Sequence, residues 1–118
     1  MEEIKLFDSE LKIMEILWRE GTLSAKQISA IAAEEIGWNK NTTYTILKKL
    51  IDKEAVARKE PGFLCSPLIA RDIVQKDETE RLIDKFWGGS KKAFFAAFVD
   101  EQLSEEEINE LKSLIEKR

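Results

Sequence analysis

The 118-residue chain contains no histidine and a single cysteine, Cys65. The missing histidine removes the commonest general base and the commonest metal ligand. One cysteine can close neither an internal disulfide nor a thiolate metal cage. With no glycine-rich phosphate loop and no convincing nucleophile either, no metal, cofactor or enzymatic reaction is expected. The longest uninterrupted apolar run, Ala93 to Val99, falls far short of the roughly 20 residues that span a bilayer, so no membrane insertion is expected. The N-terminal Met1-Glu2-Glu3-Ile4-Lys5 is acidic and lacks the basic and apolar regions of a secretory signal. A cytoplasmic protein is expected.

What remains suits a small folded protein. Hydrophobic residues make up 43% of the chain, enough for a core, and charged residues 36%, as in helical proteins with wide solvated faces. The net charge of -4 argues against nucleic acid at first sight. Its distribution does not. Between Lys40 and Lys59 stand six basic residues (Lys40, Lys48, Lys49, Lys53, Arg58, Lys59) against two acidic ones (Asp52, Glu54), a local excess of four positive charges. Because salt screens charges over about 10 Å, a local basic surface can bind phosphate on an acidic protein.

Leu11, Met14, Leu17 and Trp18 recur at helical spacing behind Asp8, a candidate N-cap, and Gly21 follows as a stop. A first helix is expected over 8–20. Ser24 and Gln27 form a capping box, with Leu23 and Ile28 placed as a hydrophobic staple. Ile28, Ile31, Ala32 and Ile36 give the second helix one apolar face, and Gly37 ends it. Asn39 is a candidate cap for a third helix with Thr43, Ile46, Leu47, Leu50 and Ile51 inward. Two short amphipathic helices across a tight glycine-containing turn make a helix-turn-helix candidate.

After Glu54 the period changes. Ala55 to Lys59 and Phe63 to Pro67 have strand-like content and flank Glu60-Pro61-Gly62, a turn signal, so a two-stranded wing is expected. A long helix fits Ile69 to Trp87, broken by Gly88-Gly89. Ser90 is a candidate cap for a short helix that is apolar all round from Ala93 to Val99, a pattern that demands burial on every side. Leu103-Ser104-Glu105-Glu106-Glu107-Ile108 repeats the capping box and staple ahead of a last helix lined by Ile108, Leu111, Leu114 and Ile115. The expected fold is mainly α with a small β wing: a winged helix-turn-helix domain over 1–68, then a three-helix dimerisation domain over 69–118.

Placed on a helical cylinder at about 100° per residue, the outer face of the third helix collects Lys40, Asn41, Tyr44, Thr45 and Lys48, with Thr42 and Lys49 at its edges. Amides and hydroxyls read base edges, Tyr and Thr touch thymine methyls, and lysines neutralise phosphates. The helix N-terminus at Asn39 offers amide donors to a phosphate. Arg58 and Lys59 in the hairpin would follow the DNA backbone or enter the minor groove. Trp38 either packs beneath this helix or donates its indole N–H to a phosphate. Cys65 reads as a small strand residue. The partner expected is double-stranded operator DNA. The alternative is a winged-helix protein-interaction module that binds no DNA.

A C-terminal part of some fifty residues can hardly bury its apolar side chains alone. Ile73, Leu82, Ile83, Phe86 and Trp87 on the long helix, and Phe94, Phe95 and Phe98 on the next, are therefore candidate dimerisation residues. So are Ile108, Leu111 and Ile115 on the last. A homodimer suits a palindromic operator.

Several stretches resemble the penicillinase-repressor family of the BlaI/MecI type. These are Leu11 to Trp18, Trp38 to Leu50, the strand from Phe63 ending in Ser66-Pro67-Leu68, and the tail from Phe98 to Leu111 with Leu103-Ser104-Glu105-Glu106 inside it. The resemblance implies an N-terminal winged helix, a C-terminal helical dimerisation domain, and repression of β-lactam-resistance or related genes. In the best-known members a membrane sensor detects the antibiotic, and the repressor is then cut between an Asn and a Phe in the dimerisation domain. The aligned pair here is Ala97-Phe98, with Ala in place of Asn. Related copper-responsive repressors carry a C-terminal cysteine cluster, and this chain has no cysteine after Cys65.

Overall fold

The computed structural model describes residues 4–118. Met1 to Glu3, the start of the acidic stretch read against a secretory signal, lie outside the described residues. Along these the order is α1 (Asp8–Glu20), β1 (Leu23–Ser24), α2 (Ala25–Glu35), α3 (Lys40–Asp52), β2 (Val56–Lys59), β3 (Leu64–Pro67), α4 (Arg71–Trp87), α5 (Lys91–Gln102) and α6 (Glu105–Glu116). The helix-turn-helix and the wing are both present.

Local chemistry accounts for the boundaries. Ser24 and Gln27 close their capping box in both directions at 3.1 and 2.8 Å. Asn39 accepts from the Thr42 amide at 2.9 Å, Ser90 from Ala93 at 3.0 Å, and Ser104 from Glu107 at 3.1 Å. Each oxygen satisfies a first-turn N–H that has no carbonyl partner within its helix. At α1 the expected cap is corrected. Asp8 is already the first helical residue, and Phe7 holds the capping position. A phenyl ring cannot accept, so only the reverse half of the box exists, with the Phe7 amide donating to Glu10 at 2.7 Å.

The wing is also corrected, from two strands to three. The sheet order is β1-β3-β2, all antiparallel. Arg58 faces Cys65 and Lys59 faces Leu64 in the hairpin register. On the other edge Leu23 pairs with Cys65 and Ser24 with Leu64. Two residues carry too little alternation to read as a strand, and Leu23 and Ser24 already served as staple and cap. Their second role ties the start of α2 to the wing, reinforced by the Ala25 amide donating to the Phe63 carbonyl at 2.9 Å.

Two compact units follow along the chain, residues 4–77 and 78–118. The first surrounds one core, in which Ile13, Met14 and Leu17 of α1 meet Ile28 and Ala32 of α2 and Ile46, Leu47 and Leu50 of α3. Val56 and Cys65 close it from the sheet and Val74 from α4. The division falls inside α4 and not at Pro67, because the start of α4 belongs to the first core. Val74 is buried, Trp18 donates its indole N–H to the Ile69 carbonyl at 2.9 Å, and Arg71 pairs with Glu15 at 2.8 Å.

The second unit has little interior of its own. Ile83 is buried, while Leu82, Phe86, Phe95, Phe98, Leu111, Leu114 and Ile115 are exposed. The all-apolar α5 has no buried residue within the single chain. Trp87, Phe94 and Phe98 form a short aromatic row, with centroids 5.0 and 5.4 Å apart.

Among the described residues, two buried side-chain polar atoms of the first unit are unpartnered, Oε2 of Glu10 and the hydroxyl of Thr43. Thr43 is fully buried on the inner face of α3, and its hydroxyl has no hydrogen-bond partner. Thr43→Val keeps the shape and removes the desolvation cost, so it should stabilise the fold by about 1 kcal/mol, or roughly 4 °C in Tm. A lower Tm would show that the hydroxyl holds a bond in solution.

Candidate nucleic-acid interface

Helix α3 divides its circumference cleanly. Thr43, Ile46, Leu47 and Leu50 are buried. Lys40, Asn41, Thr45, Lys48 and Lys49 are exposed, and Thr42 is half-buried. The exposed row carries amide, hydroxyl and ammonium groups and a single carboxylate, Asp52 in the last turn. Asn39 uses its oxygen as the cap, which leaves its amide nitrogen to donate outward. Thr45 donates its hydroxyl to the Asn41 carbonyl at 2.8 Å, so what it turns to solvent is a methyl group and an accepting oxygen.

Tyr44 stands on the outer side of α3 beside the wing. It is half-buried, edge-on to Phe63 at 5.7 Å, with the Lys40 ammonium 5.5 Å from its ring centroid. Phe63 lies in the wing turn, and its other contact is the Arg58 guanidinium, 3.6 Å from the ring centroid. Arg58 also pairs with Glu60 at 3.0 Å, and Glu60 accepts from the Phe63 amide at 2.9 Å. The recognition helix and the wing are thus joined by a continuous stack of side chains. Phe63 and Glu60 were missed from the sequence. Phe63 reads there as an ordinary strand residue, whereas it sits in the turn at φ 50° beside Gly62 at φ 96°. Only the Glu-Pro-Gly run ahead of it hinted at its place.

The local charge excess is smaller than the sequence count. Lys53, at the C-terminal end of α3, is held by the buried Glu10 of α1 at 2.6 Å and donates to the Lys5 carbonyl at 2.9 Å. Arg58 is matched by Glu60. Among the described residues, Lys40, Lys48, Lys49 and Lys59 have no ion-pair partner. The cations of the α3 face are therefore free for an anion from outside, and Lys53 is a structural clamp.

Trp38, half-buried, packs against the core with the Lys12 ammonium 6.0 Å from its ring. Cys65 is fully buried on β3, and burial pushes its thiol above the usual range. It stays protonated at neutral pH and behaves as a small apolar residue. The Glu60 carboxyl is held below the usual carboxylate range by the Arg58 guanidinium first and the Phe63 amide second. A lowered folded-state value means that its contribution is present at neutral pH and fades as pH falls through that value.

With this geometry, comparison with known proteins is decisive. Residues 6–117 match the penicillinase repressor family model. The chain belongs to the penicillinase repressor family. It is 26% identical over 115 residues to the penicillinase repressor of Bacillus licheniformis, covering 95% of this chain and 90% of that protein. It is 25% identical over 117 residues to the methicillin resistance regulatory protein MecI of Staphylococcus aureus strain N315, covering 97% and 95%. Among solved structures, the DNA-binding domain of the repressor BlaI superposes with a TM-score of 0.56 at 25% identity, over 62% of this chain and 93% of that one. The monomeric form of Bacillus licheniformis BlaI in complex with the blaP half-operator superposes with a TM-score of 0.54 at 23% identity, over 61% and 90%. These likenesses confirm the winged-helix fold. No helix among the described residues is long and apolar enough to cross a membrane.

The Glu10–Lys53 pair is the most consequential polar contact beneath this face. Glu10 is 1% exposed in its side chain and Lys53 31%. Lys53→Met leaves a buried carboxylate without its cation and should cost about 2 kcal/mol in urea unfolding. Pairing it with Glu10→Gln should recover most of that loss. A single variant within about 0.5 kcal/mol of the parent, the range of ordinary surface changes, would remove the clamp from the account.

Proposed function

We propose that the chain is a homodimeric transcriptional repressor that binds a palindromic operator, with the outer face of α3 in the major groove. The observation that carries this reading is the face of Lys40, Asn41, Thr45, Lys48 and Lys49, with Asp52 in the last turn as its single carboxylate, on the second helix of a helix-turn-helix, in a chain of the penicillinase repressor family. Asn41, Thr45 and the rim of Tyr44 are the base-reading groups. Lys40, Lys48 and Lys49 neutralise phosphates, and Arg58 and Lys59 extend that contact along the wing. Asn39, Thr42 and Trp38 serve the phosphate next to the N-terminus of α3.

The exposed apolar side chains of α4 to α6 support the dimer. Phe86, Phe95, Phe98, Leu111 and Ile115 on one chain would be buried by the same surface of a second, giving the unit over 78–118 the core it lacks alone. Ile83 is already interior and Ile73 lies within the first unit, so both stand at the margin of that surface. Two linked winged helices then meet half-sites about 34 Å apart or a multiple of it, and the second contact becomes intramolecular.

Release follows from weakening the dimer. The Ala97–Phe98 peptide lies within α5 on exposed residues, so a protease linked to a membrane sensor would have to open that helix locally before cutting. The genes controlled are those for β-lactam resistance or related functions, in the cytoplasm.

Gel shifts with duplexes from upstream of the chain's own operon test the reading. Binding should prefer one sequence and weaken steeply with salt. Tyr44→Ala should lower preference for the operator, by about 1–3 kcal/mol. Lys48→Ala should weaken operator and random DNA alike and flatten the salt slope by about one. Equal losses on both DNAs for Tyr44→Ala would take it off the list of base readers. In sedimentation the parent should be a dimer and Phe98→Glu a folded monomer, since a charge at an apolar interface centre stays unpaired. A dimeric Phe98→Glu would place the interface elsewhere.

A further inference from the structure

Phe63 is fixed through its backbone, which leaves its ring to serve its neighbours. Its amide donates to Glu60 at 2.9 Å within the wing turn. Its carbonyl accepts from the Ala25 amide at the start of α2, also at 2.9 Å. Between these two anchors the residue stands at φ 50°, a left-handed conformation that costs energy for any residue with a side chain of this size. Such a conformation persists only where the surroundings hold it, and here it aims a ring. The half-buried ring meets Tyr44 edge-on, with centroids 5.7 Å apart, and carries the Arg58 guanidinium 3.6 Å from its centroid. Tyr44 belongs to α3 and Arg58 to β2.

We propose that Phe63 is a positioning residue for DNA recognition: its ring sets the Tyr44 and Arg58 side chains together, so that the base contact of α3 and the phosphate contact of the wing are coupled. This deepens the operator-binding reading above and rests on it. A loose arginine or tyrosine side chain gives up rotamer freedom on reaching DNA, and that loss lowers affinity. A side chain already held against a ring loses less. Arg58 gives only Nη2 to Glu60. Its Nε and Nη1 are left for a phosphate while the guanidinium stays on Phe63, so no ion pair has to break. Tyr44 is held by the same ring. Removing either neighbour frees one side of the Phe63 ring, and the other neighbour then loses part of its support.

Fluorescence anisotropy of the full chain, on operator and random duplexes of equal length, measures this coupling. Tyr44→Ala and Arg58→Gln should each weaken operator binding. Made together, they should cost about two- to fivefold less than the product of the single losses, the range of an exposed cation–π contact. Phe63→Leu keeps apolar bulk without an aromatic face. It should weaken operator binding by about two- to fivefold, and random-DNA binding less, because there Tyr44 has no cognate base to read. In that background the losses for Tyr44→Ala and Arg58→Gln should shrink and multiply independently. A ring that only fills space would lower Tm and leave the coupling as it was. Independent losses in the parent chain would overturn the proposal without any Phe63 variant having to fold. A coupling that survives Phe63→Leu would overturn it too. If neither Tyr44→Ala nor Arg58→Gln changes operator binding, the ring has nothing to position and the proposal falls. If the parent binds operator no better than random DNA, the operator reading fails and takes the proposal with it, and the parent alone reports that.

Discussion

Everything this chain can present to a partner hangs on the burial of one helix face. Helix α3 gives Thr43, Ile46, Leu47 and Leu50 to the core, and that commitment fixes which residues are left outside. At about 25 cal/mol per Å2 of apolar surface, the three aliphatic side chains outweigh any single polar contact on the opposite side. The outer face is therefore free to be chosen for its partner and not for stability. The Glu10–Lys53 clamp adds axial definition. Packing alone would tolerate small slides of α3 along α1, whereas a short charged contact at the last turn does not. The ammonium that makes it is taken out of the surface charge, so the protein gives up one cation of its basic stretch for rigidity.

The wing is bound to α3 by different physics. Its strands hold each other by backbone hydrogen bonds, and β1 anchors them to the start of α2. The turn, however, reaches α3 through rings. Tyr44 meets Phe63, and Phe63 carries Arg58. Ring contacts of this kind are worth about 0.5–1.5 kcal/mol beyond their area, enough to bias the turn and too little to freeze it.

The sequence made the helices legible because their signals are short-range. Ser24 with Gln27 and Ser104 with Glu107 need only four residues to declare a helix start, and both boxes close as expected. The inner face of α3 followed from period alone. Contacts that depend on distant parts of the chain were not legible. Nothing near Lys53 announces Glu10, 43 residues away, so a structural clamp was counted among the free basic charges. Strand β1 escaped because two residues show no alternation. The half-burial of Tyr44 is not legible either, since its neighbour Phe63 comes from a turn whose geometry is set by φ angles that composition hints at only through Gly62.

The contrast between the two units carries the last step. The first has a closed core drawn from four helices and a sheet. The second exposes Phe86, Phe95 and Phe98 on adjoining helices and buries Ile83 alone among its large apolar residues. In the proposed dimer its stability would depend on chain concentration while that of the first unit would not. Such a division lets one half of a protein be assembled or dismantled while the other stays folded. For a bivalent DNA binder, that is sufficient for control. In the proposed dimer, separating the two winged helices would remove the effective-concentration advantage of a second half-site with no change in α3 or the wing.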